Sequence, residues 1–320
     1  MTNKNRDKRY FFTRTKVILF NIAFAMLIVS LCFMILQPFM NKISLSFMSQ
    51  NDLVDSTVVN IPRNPTLDNY SFVWKLLDFN HSLPFTAILA LTMGLLQTAS
   101  SLLVGYGFAR YDFPLKKVWF VCVILMIIVP TQAYSISLYL DFRFFDIFGL
   151  IKALTGKALN LIGTPVPLIL MALTATGLKN GLYIYLFYQY FRGVPRDLEE
   201  AAFLDGCGTL RTLFRVMIPD AAPLITSCML FAFVWQWTDY QFTNLLLASD
   251  NFLATRLNGI DALISASGGA ALANSSGTMV IYSDTLTATA TLLMLIPVVT
   301  LYIIGQKKFV ESLNFSGVKM

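Results

Sequence analysis

Five stretches of this chain, residues 17–36, 84–109, 118–140, 221–238 and 285–306, contain no Asp, Glu, Lys or Arg. Each comes close to or exceeds the ~20 residues that an α-helix needs to cross the hydrocarbon of a bilayer. A sixth stretch, 158–191, is long and interrupted by Pro165, Pro167, Gly177, Lys179 and Gly181. One span near 168–190, preceded by an outer re-entry around 163–167, accounts for it. With 56% hydrophobic and only 13% charged residues, the composition independently excludes a water-soluble fold. The expectation is an all-α, polytopic membrane protein with six transmembrane helices.

Boundaries follow from charge. Residues 1–16 form a basic N-terminus, 17–36 the first span, 37–83 an extracytoplasmic loop, 84–306 the core with a polar loop at 192–222, and 307–320 a tail. The first apolar run is long for a cleaved signal, and Gln37-Pro38-Phe39-Met40 offers no small-x-small cleavage site. With six spans and the N-terminus inside, the inner pieces hold 16 Lys and Arg and the outer pieces 7. That excess is what the positive-inside rule expects, and it puts both termini and the 192–222 loop in the cytoplasm. The net charge of +6 therefore calls for no nucleic acid. Residues 141–154 read as an interfacial helix, and 251–283 as a long outer loop.

Several chemistries are not expected. Cys32, Cys122, Cys207 and Cys228 suggest no disulfide framework, and with His81 as the one histidine a protein-ligated zinc or haem site is not expected. No G-x-x-x-x-G-K-[ST] occurs, so this chain is not expected to bind ATP in that manner. Gly105-Tyr106-Gly107 suits close helix packing rather than a nucleotide loop. No nucleophile–base arrangement is visible, and catalysis by this chain alone is not expected.

The polar loop is the most informative segment. Pro195–Pro223 reads as two short helices, with Pro195 at a first helical position and Asp197, Glu199 and Glu200 near the positive helix end. Gly206 and Gly208 offer the stop, Thr209 a cap for the second helix, and Pro219 its end. Leu198, Ala201, Ala202, Leu204, Leu210, Leu213 and Phe214 are too many apolar groups for a solvated loop. They pack on the protein's own helices, or they form a knob that docks in a partner's groove.

Polar groups inside spans mark a candidate solute pathway. Gln236, Asp239, Tyr240 and Thr243 share one face if the fifth span continues past Asp239, with Trp235 and Trp237 beside them. The tryptophans equally suit an aromatic belt. Lys179, next to Asn180, lies ~20 Å from Arg192 along a helix; it snorkels outwards, pairs with Asp239, or meets a solute. Gln132, Ser135 and Tyr139 line up in the third span, and Asp284, Thr287 and Thr291 in the sixth. Amides, hydroxyls and a carboxylate beside aromatic rings suit a sugar.

The loop also carries a motif. Glu200-Ala201-Ala202, Gly206, Val216, Ile218 and Pro219 stand at the spacing E-A-A, three residues, G, nine residues, I, one residue, L-P, with Val216 and Ile218 as mild departures. This resembles the EAA loop of ABC-importer permeases. Residues 105–117 (GYGFARYDFPLKK), 129–140 (VPTQAYSISLYL), 235–240 (WQWTDY) and the tail 314–320 (NFSGVKM) are similar to the carbohydrate type, specifically the smaller permease subunit.

The resemblance implies a type I importer fold and alternating access. It makes Glu200, Ala201, Ala202, Asp205, Gly206, Leu210, Ile218 and Pro219 the coupling surface for a cytoplasmic ATPase. Gly317, Val318 and Lys319 would reach that ATPase from the tail. It also implies a second homologous permease, two ATPase copies carrying ATP and Mg, an extracytoplasmic solute-binding protein, and residence in a bacterial cytoplasmic membrane. Gln132, Lys179, Asn180, Trp235, Gln236, Trp237, Asp239 and Tyr240 are the candidate sugar pathway. The other readings are an ABC permease for a polyol phosphate, peptide or polyamine, an ion-coupled secondary transporter, or a membrane-embedded enzyme. The missing inverted repeat speaks against the second and the missing polar catalytic cluster against the third.

Overall fold

The computed structural model describes residues 3–59, 61–147, 149–267 and 276–317. Among them the regular structure is helical, and an antiparallel bridge joins Phe145 to Leu159. Among the described residues three helices are long and apolar enough to cross a membrane, or up to five spans if each of two bent pairs counts as one.

The first helix, α1 (Asn3–Ser46), runs past the expected boundary at residue 36 and past Pro38. A helix can absorb one proline by giving up a hydrogen bond, and residues 41–46 hold no glycine or second proline to stop it. Its 44 residues make a rod of ~66 Å, about twice the hydrocarbon thickness. Side chains from Val17 to Met40 are exposed all round it.

The stretch expected as an open loop contains α2 (Gln50–Val54) and α3 (Asp68–Leu76). Contacts divide the chain into two compact units, residues 1–73 with 264–293, and residues 74–263 with 294–320. In the first unit the buried Asn69 amide donates to the carbonyls of Ser46 (3.0 Å) and Met48 (2.9 Å), closing the end of α1. Asp52 accepts from the Asn64 backbone at 2.9 Å, so buried polar partners order this segment.

The second unit is built on α4 (Phe79–Arg110). Next come α5 (Lys116–Ile128), a 3₁₀ turn (Thr131–Tyr134) and α6 (Ser135–Arg143). The expected single span 118–140 is thus bent, by 104°. Pro130 is the cause: it excludes helical geometry at Val129, which is extended at ψ 121°. The 141–154 segment is likewise split between the end of α6 and α7 (Leu150–Thr155).

The expected fourth span is also two pieces, α8 (Val166–Leu173) and α9 (Asn180–Gly193). Helix α8 ends on Ala175 in the left-handed region, with Thr176 N–H bonded to Met171 O and Ala175 N–H to Ala172 O.

The polar loop holds α10 (Asp197–Leu204), α11 (Thr209–Thr212), a π turn (Leu213–Met217) and α12 (Ile218–Asp220). Helix α13 (Ala222–Thr238) leaves it at a bend of 77°. Then follow α14 (Gln241–Leu247), α15 (Leu253–Asn258), α16 (Ile260–Ala266) and α17 (Ser276–Gly317). The 251–283 segment therefore carries helices where a loop was expected.

Helices α4, α9 and α13 form the centre of this unit. Lipid tails are as apolar as Leu, so these helices associate through close packing rather than water exclusion. Gly105 on α4 supplies the closest approach: a Cβ there would lie 2.6 Å from Phe187 Cβ and 2.9 Å from Ile184 O. This bears out packing as the role of Gly105, whereas Gly107 faces open space. Tyr183, Phe187, Phe191 and Met217 are fully enclosed around that contact.

Candidate functional site

The loop between α9 and α13 is held to the bundle by a buried ion pair. Arg110, the last residue of α4, places its Nε 3.1 Å from Glu199 Oε1, with side-chain exposures of 6% and 10%. Tyr106, one turn earlier on the same face, donates its hydroxyl to the same oxygen at 2.9 Å. A further guanidinium nitrogen of Arg110 donates to Val194 O at 3.0 Å, so the chain entering α10 is gripped as well. At the loop's far end the Tyr190 hydroxyl bonds Asp220, 2.7 Å from its carbonyl and 3.0 Å from Oδ2. Sequence reasoning assigned Glu199 only to the helix dipole and passed over Tyr106 and Arg110. Their signal was a tyrosine and an arginine four residues apart at the end of an apolar helix.

Between these anchors the loop keeps its two-helix form, with local shifts. Pro195 precedes the helix and Arg196 takes the cap position, because the Val194–Pro195 entry is extended. Helix α10 stops as Gly206 adopts φ +80°, Cys207 N–H bonds Ala202 O and Gly206 N–H bonds Phe203 O. Gly208, rather than Thr209, caps α11. Pro219 stands second in the short α12, accommodated in its first turn, one residue before the helical run Thr209–Asp220 ends.

Of the eight expected coupling residues, Glu200, Ala201, Asp205, Gly206, Leu210 and Pro219 are exposed, Ile218 is half-buried and Ala202 is buried. The loop's apolar surface faces outwards: Leu204 is 90% exposed, Leu210 71% and Phe214 62%, with Leu198 and Phe203 beside them in sequence also exposed. Leu213 and Ala202 turn inwards. Gly317 ends α17, and Val318 and Lys319 lie outside the described residues.

The proposed pathway residues separate into three groups. The Lys179 ammonium sits 4.7 Å from the centre of the exposed Trp235 ring, at the break between α8 and α9. Among the described residues Lys179 forms no ion pair with Asp239. Asp239 instead ends α13 and accepts from Thr243 N–H (2.9 Å), Thr243 Oγ1 (3.0 Å) and Phe242 N–H (3.3 Å), starting α14. The single face drawn from Gln236 to Thr243 is therefore a turn. Gln236 still meets Thr243, its Nε2 donating at 3.2 Å while the buried Oε1 has no partner. Trp237 is buried and donates to Met294 O at 3.2 Å, which makes it a packing residue.

Asn180 faces α4, donating to Ser101 Oγ at 2.8 Å and Gln97 O at 3.3 Å, with its Oδ1 unpaired. Gln132 is exposed on the 3₁₀ turn, where its carbonyl accepts from Ser135. Tyr240 is exposed. Lys179 and Trp235 thus offer a cation and an aromatic face together, next to polar groups of the α13–α14 turn.

Comparison with known proteins bears on the whole arrangement. The arabinooligosaccharides transport system permease protein AraQ of Bacillus subtilis is 26% identical over 263 residues, covering 81% of this chain and 80% of that protein. The sn-glycerol-3-phosphate transport system permease protein UgpE of Yersinia pestis is 26% identical over 274 residues, covering 83% and 86%. The crystal structure of a bacterial ABC transporter involved in the import of the acidic polysaccharide alginate contains a chain of the same fold. That chain is 19% identical, has a TM-score of 0.65, and the match covers 91% of this chain and 96% of that one. The model of the family described as binding-protein-dependent transport system inner membrane component matches residues 101–314, from the middle of α4 to the last turns of α17 and with α10–α12 inside it. The chain belongs to that family of membrane transport components.

Proposed function

We propose that this chain is the permease subunit of an importer that carries a sugar or oligosaccharide into the cell, powered by ATPase subunits docked on α10–α12. The observation that carries this reading is the loop itself. It presents Leu204, Leu210 and Phe214 to the outside while a buried ion pair fastens it to α4. An apolar helix pair held rigidly on a membrane bundle is suited to being pushed by a partner's groove. The family membership and the AraQ relative support the solute class. The complex would include a second homologous permease, two ATPases and an extracytoplasmic solute-binding protein. The excess of Lys and Arg at one set of helix ends supports cytoplasmic termini in a bacterial cell membrane.

A second solute class is favoured by one observation. Lys179 beside Trp235 supplies a positive charge within the proposed pathway, and UgpE is a relative, so a polyol phosphate is the alternative cargo. Co-purification tests the coupling reading: tagged wild type in mild detergent should bring down an ATPase and a second permease, and Leu210→Asp with Phe214→Asp should not. Solute uptake driven by the purified chain alone, without ATP, would overturn it.

A further inference from the structure

A cavity of about 530 Å³ opens where α4 ends and α5 begins, beside the last turn of α9. Four cationic side chains line it, Arg110, Lys116, Arg192 and Arg196, and no carboxylate does. Two of the four are already neutralised nearby. Arg110 holds Glu199, and Lys116 Nζ lies 3.0 Å from Asp112 Oδ1 and 2.8 Å from Tyr111 O. The other two are not. Arg192 rests its guanidinium 5.9 Å from the Tyr188 ring centre, with a 3.3 Å contact to the Tyr188 hydroxyl. Arg192 and Arg196 are exposed and form no ion pair among the described residues.

The level of the cavity matters as much as its charge. Arg110 is the last residue of a 32-residue apolar helix and Lys116 the first of the next, so the cavity mouth lies where the chain leaves hydrocarbon. That is the depth of lipid phosphates. Basic pockets between membrane helices at this level suit anionic head groups, and arginine's planar fork matches phosphate oxygens two at a time.

We propose that this cavity binds a phosphate-bearing anion, supplied in the membrane by the head group of an anionic phospholipid, with Arg192 and Arg196 as its principal contacts. Arg110 lines the same cavity and grips Glu199, so the bound head group sits directly behind the fastening of α10. Free phosphate offers the same chemistry, and the experiment separates the two sources.

The full chain is placed in nanodiscs of phosphatidylcholine with or without phosphatidylglycerol, and retained lipid is counted by native mass spectrometry. Wild type should retain a phosphatidylglycerol that Arg192→Gln with Arg196→Gln binds about thirtyfold more weakly, from roughly 1 kcal/mol per near-surface cation. The Arg192→Lys with Arg196→Lys variant keeps the charges and should retain most of that binding. In the second arm, inorganic phosphate is titrated into the phosphatidylcholine sample while the melting temperature is followed. Phosphate protection of wild type but not of the Gln variant, without retained phosphatidylglycerol, would assign the site to free phosphate. Equal binding of both anions by wild type and Gln variant would overturn the proposal. If the double variant does not fold, Arg196→Gln alone carries the test, since that exposed side chain holds no ion pair among the described residues.

Discussion

Arg110 and Glu199 are each nearly sealed from solvent, and each is the other's compensation. Removing one partner of such a pair leaves a buried charge, whereas replacing both by apolar groups is often neutral. Glu199→Gln should therefore destabilise the chain by roughly 3–5 kcal/mol, and Arg110→Met with Glu199→Met should recover most of the loss. Thermal melts of the purified protein in one detergent would check both, and equal melting for the single and double variants would refute the pairing argument.

Asp52 is a milder case. The Asn64 backbone N–H holds its carboxyl below the ordinary value of 3.8, despite an opposing push from burial. A lowered carboxylate stabilises the fold above that ordinary value and ceases to do so as the pH falls through the folded one. The melting advantage of wild type over Asp52→Asn should accordingly shrink on acidification below about pH 4. An advantage unchanged between neutral and acidic pH would refute this.

At the scale of elements, the helices were legible because uncharged runs of spanning length have few other folds available. The breaks were legible only in part. Pro130 bends its span as an X-Pro step should, yet the uncharged run read straight through it. The fourth span breaks at Ala175, a residue with no turn preference, while the neighbouring Gly177 serves a different need: a Cβ there would come within 2.8 Å of Asn180 Oδ1. Packing, not local propensity, chose that position. The helix face drawn through Asp239 failed in the same way, because the hydrogen bonds that make this carboxylate start the next helix are invisible in sequence. In the polar loop Gly206 was read correctly as the left-handed stop, whereas Gly208 is extended and caps the next helix. Gly206 sits at φ +80° and Gly208 at φ −75°, both with open space around a would-be Cβ. Gly206→Ala should cost about 1–2 kcal/mol from the left-handed backbone alone, and Gly208→Ala should meet no such strain. Limited proteolysis within 195–220 would report the difference, and equal protection of both variants would show that Gly206 is not held as the structure has it.

For the molecule as a whole, the proposed function makes docking and transmission separate properties of one loop, carried by different residues. Leu204, Leu210 and Phe214 face outwards and belong to no buried cluster among the described residues, which on the proposed reading leaves them to a partner rather than to the fold. Tyr106, Arg110 and Glu199 face inwards and join α10 to α4, so on the same reading they bear on how motion of α10 reaches α4 and, through it, α9 and α13. Reconstituted with the ATPases, binding protein and companion permease of the proposed complex, the chain should show two distinct defects. Leu210→Asp should weaken ATPase association about five- to thirtyfold, the equivalent of about 1–2 kcal/mol for loss of one well-buried apolar contact, while solute moved per ATP stays unchanged. Glu199→Gln, provided it folds, should bind the ATPases normally yet import less solute per ATP, because the docked helices can shift without carrying α4 with them. Arg110→Met with Glu199→Met should restore folding but not the ratio. An unchanged solute-to-ATP ratio in both Glu199 variants would mean that the ion pair holds the fold together without transmitting the stroke. The linkage through Tyr190 and Asp220 at the other end of the loop would then be the route left to carry it.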